Sequence, residues 1–255
     1  MRHSIIFILL ITMLLFLNFC QKLEDSDEPN LLDQECNLDI DTLDFSFGIE
    51  YDNPEKYLIS GEQSNLADSN LAEVVGDLGD QEQSITSIRN VCHWVNQNFV
   101  FQNAGGSMIG VPTVDELFES KTFYGCHSAA LIISSILREL GYPTVMIETA
   151  MVSWAYSYHN GTTTSFSGHV MSEVYVENKW VLLDNNGSYI YDYDPLNPYI
   201  NTRNGDGYFV YAGGIDTWDY THGNPSFTHE QMIYFSQNVY CFENLFESVT
   251  YTWSD

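Results

Sequence analysis

An α+β fold is what this sequence predicts, and three stretches predict it. Lys121 to Thr149 reads as a tight turn, a buried helix and a buried strand. Ser84 to Phe99 carries Ile85, Ile88, Val91, Cys92, Val95 and Phe99 near helical spacing, a second helix that would pack on the first. His169 to Val176 and Lys179 to Leu183 are β-rich runs separated by two residues, which makes them an antiparallel hairpin. Helix-period and strand-period segments in one chain, with neighbouring strands paired, give a mixed fold with an antiparallel sheet.

In chain order, Arg2 and the apolar run Ile5 to Phe19 form a short leader. The run is too brief for a comfortable membrane span and suits a secretory signal. Cys20 follows directly, and Gln21 to Asp44 reads as an acidic tether. The expected division is a leader at 1–20, a tether at 21–44 and a folded domain at 45–255, with its core at 84–186 and a Tyr-rich C-terminal extension.

Glu50 to Gly79, with Pro54 and modest apolar content, starts the domain in short helical pieces. After the Ser84–Phe99 helix, Gln102 to Pro112 is a loop. Val114 to Ser120 is a short helix with Thr113 as N-cap and Glu116 completing a capping box. In the central stretch, Ala129, Ala130, Ile132, Ile133, Ile136, Leu137 and Leu140 cover a broad helical face. Gly141 and Pro143 end that helix, and the strand begins at Thr144. Ser153 to Ser167 reads as a polar and aromatic loop. Asn185 to Asp255 suggests irregular structure and short strands, then a helix from Glu230 to Phe246.

Composition narrows the function. The net charge of −27, from 35 acidic and 8 basic residues, argues against nucleic acid or an anionic membrane surface as partner. It fits a solvated acidic surface. A hydrophobic content of 44% and an aromatic content of 15% suffice for a packed core. Setting aside Cys20 and Cys126, the cysteines are Cys36, Cys92 and Cys241; one disulfide among them leaves an odd thiol, and spacing does not choose the pair. No zinc-binding spacing is present. Asp184-Asn185-Asn186-Gly187-Ser188 and Asn204-Gly205-Asp206-Gly207 lack the full ligand spacing of a calcium loop and read as turns.

Cys126 stands where the central helix begins. The positive end of the helix dipole and the unpaired N–H groups there favour thiolate over thiol, and the thiolate is the nucleophile. Three motifs in order resemble the transglutaminase-like superfamily. They are the Tyr124-Gly125-Cys126 turn with its small-residue helix, Gly168-His169-Val170 running into Glu173-Val174-Tyr175-Val176, and Trp180-Val181-Leu182-Leu183-Asp184. The resemblance covers roughly Ser84 to Asn186. It implies a papain-like α+β core, with the nucleophile helix packed on an antiparallel sheet, and a catalytic triad of Cys126, His169 and Asp184.

A thiolate needs a base to hold it ionised and to protonate the leaving amine, and the base needs an acceptor that fixes its tautomer. The hairpin allows the second contact in one register. With Glu177-Asn178 as the turn, Asp184 lies opposite Met171 and diagonal to His169, about 7–8 Å away between backbones. With Asn178-Lys179 as the turn, Asp184 slides opposite Glu173 and the contact becomes harder.

Among rival histidines, His127 points about 100° around the helix from Cys126. His159 has no neighbouring strand acid, and His93 reads as a surface or satisfied interior residue. For the oxyanion, the Cys126 backbone N–H is the first donor; Trp94 or Gln97 could supply a second, but packing or surface roles are favoured for both.

The resemblance implies a thiol-dependent acyl-transfer enzyme acting on a peptide or protein without a cofactor or metal. A cysteine peptidase or amidase is favoured. A protein-glutamine γ-glutamyltransferase that forms cross-links, or a non-catalytic binding module on the same fold, is the alternative. Trp154 to Tyr158 and the Tyr-rich tail would line the substrate groove. Leu17-Asn18-Phe19-Cys20 also resembles a bacterial lipoprotein signal, although Phe19 is bulky where such sites carry a small residue. It implies lipidation at Cys20 and an exported, membrane-anchored protein. An uncleaved anchor and an ordinary signal peptide remain open.

Overall fold

A computed structural model describes residues 46–80, 82–104, 108–202, 207–221, 226–241 and 249–255. The expected leader, lipidation at Cys20 and tether, together with Cys36, lie outside the described residues. The elements before the central helix are a short 3-10 turn Pro54–Leu58, α1 Asp68–Leu78, α2 Ile85–Asn98, β1 Val100–Phe101, α3 Val114–Ser120 and β2 Thr122–Phe123. The central stretch supplies α4 Cys126–Glu139 and β3 Thr144–Met151. After it come α5 Val152–His159, β4 Gly168–Val176, β5 Lys179–Leu183, β6 Tyr189–Ile190, β7 Tyr199–Thr202, β8 Tyr208–Gly214, α6 Thr217–Tyr220, α7 Ser226–Gln237 and β9 Thr250–Tyr251.

Local chemistry accounts for the helix ends. Ser84 caps α2 by accepting from the Ser87 N–H. Thr113 and Glu116 form the expected capping box on α3, the Glu116 N–H donating to Thr113 Oγ1 at 3.3 Å and the Thr113 N–H to Glu116 Oε2 at 2.8 Å. At the end of α4, Gly141 has φ +87°. The Tyr142 N–H returns to Leu137 O and the Gly141 N–H to Arg138 O, both at 2.9 Å. That is a Schellman motif, and Pro143 then prevents continuation.

Seven strands form the main sheet in the order β6-β5-β4-β3-β8-β7-β9, antiparallel except for the β7–β9 pair. β3 is central and buried at every position except Met151. One face of the sheet packs on α2 and α4, where Ile88, Val91, Ile132, Ile136, Val174 and Val181 share a core. The other face buries Ile147, Met171, Leu182, Ile200 and Val210. Ser134 and Ser172 hydrogen-bond at 2.9 Å across the α4–β4 contact, both fully buried. Arg138, also buried, donates from Nε to Thr144 O at 2.8 Å and from Nη2 to Ile215 O, tying the end of α4 to β3 and to the segment after β8.

Two expectations are corrected. Residues 152–159 are helix, not loop. Their Ser/Tyr-rich sequence has little intrinsic helical signal, and tertiary burial of Val152, Trp154 and Ala155 supplies the stabilisation. The helix expected from Glu230 to Phe246 instead runs Ser226–Gln237, and residues 242–248 lie outside the described residues. The sequence after 186 supplies β8, which pairs with the central strand β3 along most of its length.

Candidate active site

Gly125 has φ +129°, a backbone conformation that L side chains rarely adopt. This sharp turn drops the chain into α4 with Cys126 as its first residue. Cys126 is partly buried and free, and its thiol faces the His169 ring. The backbone N–H groups of His127 and Val170 also face the sulfur.

His169 is the second residue of β4, and Asp184 immediately follows β5. Glu177 and Asn178 have φ +54° and +66°, so the hairpin turn is the two-residue left-handed kind. Val176 therefore pairs with Lys179 and Ser172 with Leu183. One further step puts Asp184 diagonal to His169, and His169 Nε2 lies 3.2 Å from Asp184 Oδ1. With Nε2 committed to the carboxylate, Nδ1 is the nitrogen left to exchange a proton with sulfur.

The electrostatics follow. Burial opposes ionisation of Cys126, but the His169 hydrogen bond and charge and the two backbone N–H groups outweigh it, so its thiol sits below the ordinary value. Burial would also lower His169, yet Asp184 and Cys126 push it up to about 9. Asp184, despite burial, is held below the usual carboxylate range by His169 and by the N–H groups of Asn186 and Asn185. A thiolate beside an imidazolium is the favoured state of the pair near neutral pH.

The aspartate turn is cradled by α2 in a way the sequence did not announce. Arg89 Nε donates to Gly187 O at 3.0 Å, the Cys92 thiol reaches Asp184 O at 3.7 Å, and Asn96 Nδ2 donates to Asn185 O at 2.8 Å. These residues stand three and four apart and make one stripe along the helix. Gly187, at φ +92°, completes the turn where a Cβ would come 3.1 Å from His93 Nε2.

His127 turns away to a buried polar cluster. Its Nε2 lies 3.2 Å from Glu148 Oε1 and 2.9 Å from Thr217 Oγ1. Glu148 also accepts from the hydroxyls of Tyr220 and Tyr211, each at 2.8 Å. Burial works against the Glu148 carboxylate, but these donors hold it below its usual range. His159 lies against Tyr240, and exposed His93 beside Gly187. Trp94 is buried and its Nε1 donates to Asp77 Oδ2 at 2.9 Å, the packing role favoured for it over an oxyanion donor. Gln97 is exposed on α2.

A cavity of about 260 Å³ opens beside Cys126 and His169, with Ile109, Phe166, Tyr211 and Met232 among its walls. Of the segment Trp154–Tyr158, Trp154 is buried; it donates to Ser165 O at 2.6 Å and its ring meets Phe166 edge-on at 5.2 Å, so it sets the wall rather than forming it. The Asp184–Ser188 loop is a hydrogen-bonded turn, the Asp184 N–H donating to Ser188 O at 2.8 Å. Asn204 to Asp206 lie outside the described residues.

Residues 72–185 match the family model described as the transglutaminase-like superfamily. No curated protein matches the chain. A solved structure described as a "putative cysteine protease" from Cytophaga hutchinsonii is similar over 71% of this chain, at 15% identity and a TM-score of 0.45. The match covers 51% of that protein, so this chain spans about half its length. The architecture, an antiparallel-rich sheet with the cysteine helix packed on one face, is a transglutaminase-like, papain-like α+β core. The matched stretch, residues 72–185, holds Cys126, His169 and Asp184.

Proposed function

We propose that this protein is a thiol-dependent hydrolase of peptide or amide bonds, with Cys126 as nucleophile, His169 as acid and base, and Asp184 as the residue that orients His169. The observation that carries the reading is the His169 ring, which lies between the Cys126 thiol and the Asp184 carboxylate, its Nε2 3.2 Å from Asp184 Oδ1 and both partners raising its pKa. The Cys126 thiolate attacks the carbonyl carbon, and an oxyanion forms beside the N–H groups at the start of α4. The C–N bond breaks as imidazolium His169 gives its proton to the leaving amine, which leaves a thioester on Cys126. Water then loses a proton to His169, adds to the thioester carbonyl and displaces the thiolate, releasing a carboxylic acid and restoring the starting state.

The cavity supports a substrate class. Its exposed surface is mostly apolar; of its polar members, His127 and Glu148 are hydrogen-bonded to each other, while Thr149 and His229 also line it beside the catalytic pair. A peptide with an aliphatic or aromatic side chain next to the scissile bond fits it. Phe166, 47% exposed at the wall, would be the residue that selects it. The test is incubation with a peptide library, with and without a primary amine, read by mass spectrometry. Cleavage beside apolar residues, with selectivity relaxed in Phe166→Ala, is expected. Amine incorporation at glutamine in place of cleavage would reassign the protein as a cross-linking transferase.

Iodoacetamide separates an enzyme from a binding module. Cys126 should be alkylated near neutral pH, and His169→Ala should slow this at least about tenfold, one pKa unit of lost thiolate. Slow labelling unaffected by His169→Ala would mean the fold is only a scaffold.

We also propose that the chain is exported and lipid-anchored at Cys20. The apolar leader supports this, as does the disulfide at Cys241, since such bonds persist in oxidising compartments. No helix among the described residues is long and apolar enough to cross a membrane. Mass spectrometry of the mature N-terminus should find a lipidated Cys20; an unmodified Cys20 or a different start rejects it.

A further inference from the structure

The residue after Asp184 does something none of the three motifs accounts for. Asn185 Nδ2 donates to Cys126 O and to Val170 O, both at 3.0 Å. An amide nitrogen has two N–H groups, and both are used. One joins the first residue of the cysteine helix and the other joins the residue after His169. The Asn185 backbone carbonyl is itself held by Asn96 Nδ2 at 2.8 Å. Among the described residues Asn185 Oδ1 is buried and meets no donor. An orphaned buried acceptor is costly, so the site is arranged for the nitrogen's two bonds and not for the amide as a whole.

We propose that Asn185 is a positioning residue that locks the three catalytic segments into one unit. It follows Asp184 in the chain and clamps Cys126 to Val170, so the spacing of sulfur, imidazole and carboxylate is fixed by a single side chain. This rests on Cys126 being the nucleophile. Serine is too short to span both carbonyls, leucine has no donor, and aspartate would aim negative oxygens at both carbonyls. Without the clamp the start of α4 can drift from β4, and a misplacement of about 1 Å at a catalytic pair costs on the order of 10²-fold in rate.

The test is Asn185→Ala, read by three measurements on the whole chain: Cys126 alkylation by iodoacetamide from pH 5 to 10, kcat and KM on a cleaved peptide, and the unfolding temperature. The expected result is thiol ionisation displaced upward by about one pH unit, kcat reduced about tenfold or more, and KM little changed. Asn185→Gln, which keeps the amide on a longer arm, should recover part of the thiol ionisation. A fall in unfolding temperature with a wild-type alkylation profile and kcat would overturn the clamp, because a merely structural side chain moves only stability. If Asn185→Ala does not fold, Asn185→Ser is read on the same axes, and an unchanged profile there overturns it equally. A wild-type Cys126 that fails to label near neutral pH removes the catalytic reading and the clamp with it. Normal wild-type labelling with unchanged variants removes the clamp alone.

Discussion

Two free cysteines in one domain show how position decides reactivity. Cys92 is fully buried, and burial together with the nearby Asp184 pushes its thiol well up, so it is an inert core residue. Cys126 has a helix start, a histidine and two backbone donors, and its thiol is pulled down. A pH profile of kcat/KM should therefore rise as the Cys126 thiol ionises. It should fall again as pH passes through about 9, where His169 loses its proton. Asp184→Ala should move this alkaline limb to lower pH, because the carboxylate is the strongest group raising His169. We expect it to reduce kcat by roughly 10²–10⁴-fold with the fold intact. Near-normal turnover with an unmoved limb would assign the orienting role elsewhere. The three residues proposed for the triad could be picked out in the sequence because each sits in one of the three motifs that resemble the transglutaminase-like superfamily. Asn185 and the His127–Glu148 cluster could not be, because no motif marks them and their partners, 15 to 93 positions away, are brought to them only by folding.

At the scale of elements, turns do much of the positioning. Gly125 holds φ +129°, and although a Cβ there would meet nothing within 4 Å, the backbone conformation itself is one a side chain resists. Gly125→Ala should cost about 1–3 kcal/mol of strain or re-aim Cys126. The expected outcome is a native circular dichroism spectrum with slowed Cys126 alkylation; wild-type alkylation would show that the turn does not set the thiol. The hairpin is the other decisive turn. Its two registers were both readable in the sequence. Glu177 and Asn178, both at positive φ, adopt the one that brings Asp184 to His169. α5 was missed for the opposite reason, since Val152 to His159 has weak helical propensity and owes its shape to burial against the rest of the molecule.

At the scale of the molecule, Glu173 on β4 is a buried carboxyl that ties distant parts together. It accepts from Tyr51 Oη at 2.8 Å and Tyr193 Oη at 2.7 Å, which joins the start of the domain and the segment after β6 to the sheet. Burial dominates over the two tyrosine bonds and pushes its pKa from 4.5 up to about 7. The folded protein thus holds this proton more tightly than the unfolded chain. Glu173's share of stability is present below about pH 4.5 and is lost as pH rises through about 7. Glu173→Gln keeps a polar group for the tyrosines and removes the titration. Its unfolding temperature relative to wild type should rise by several degrees between pH 5 and pH 8. A constant difference across that range would show that Glu173 does not titrate there.

What the sequence determined by itself was local: helix period, caps and stops, the two-residue separation of two strands, and a cysteine at a helix start. Each depends on neighbours within a few residues, so each can be read along the chain. Only the tertiary structure decided which hairpin register was used, that β8 from the C-terminal third lies beside β3, and that Asn185 bridges the cysteine helix to the histidine strand. These are contacts between segments far apart in sequence. Packing and burial choose them, and no local pattern of residue types carries that information.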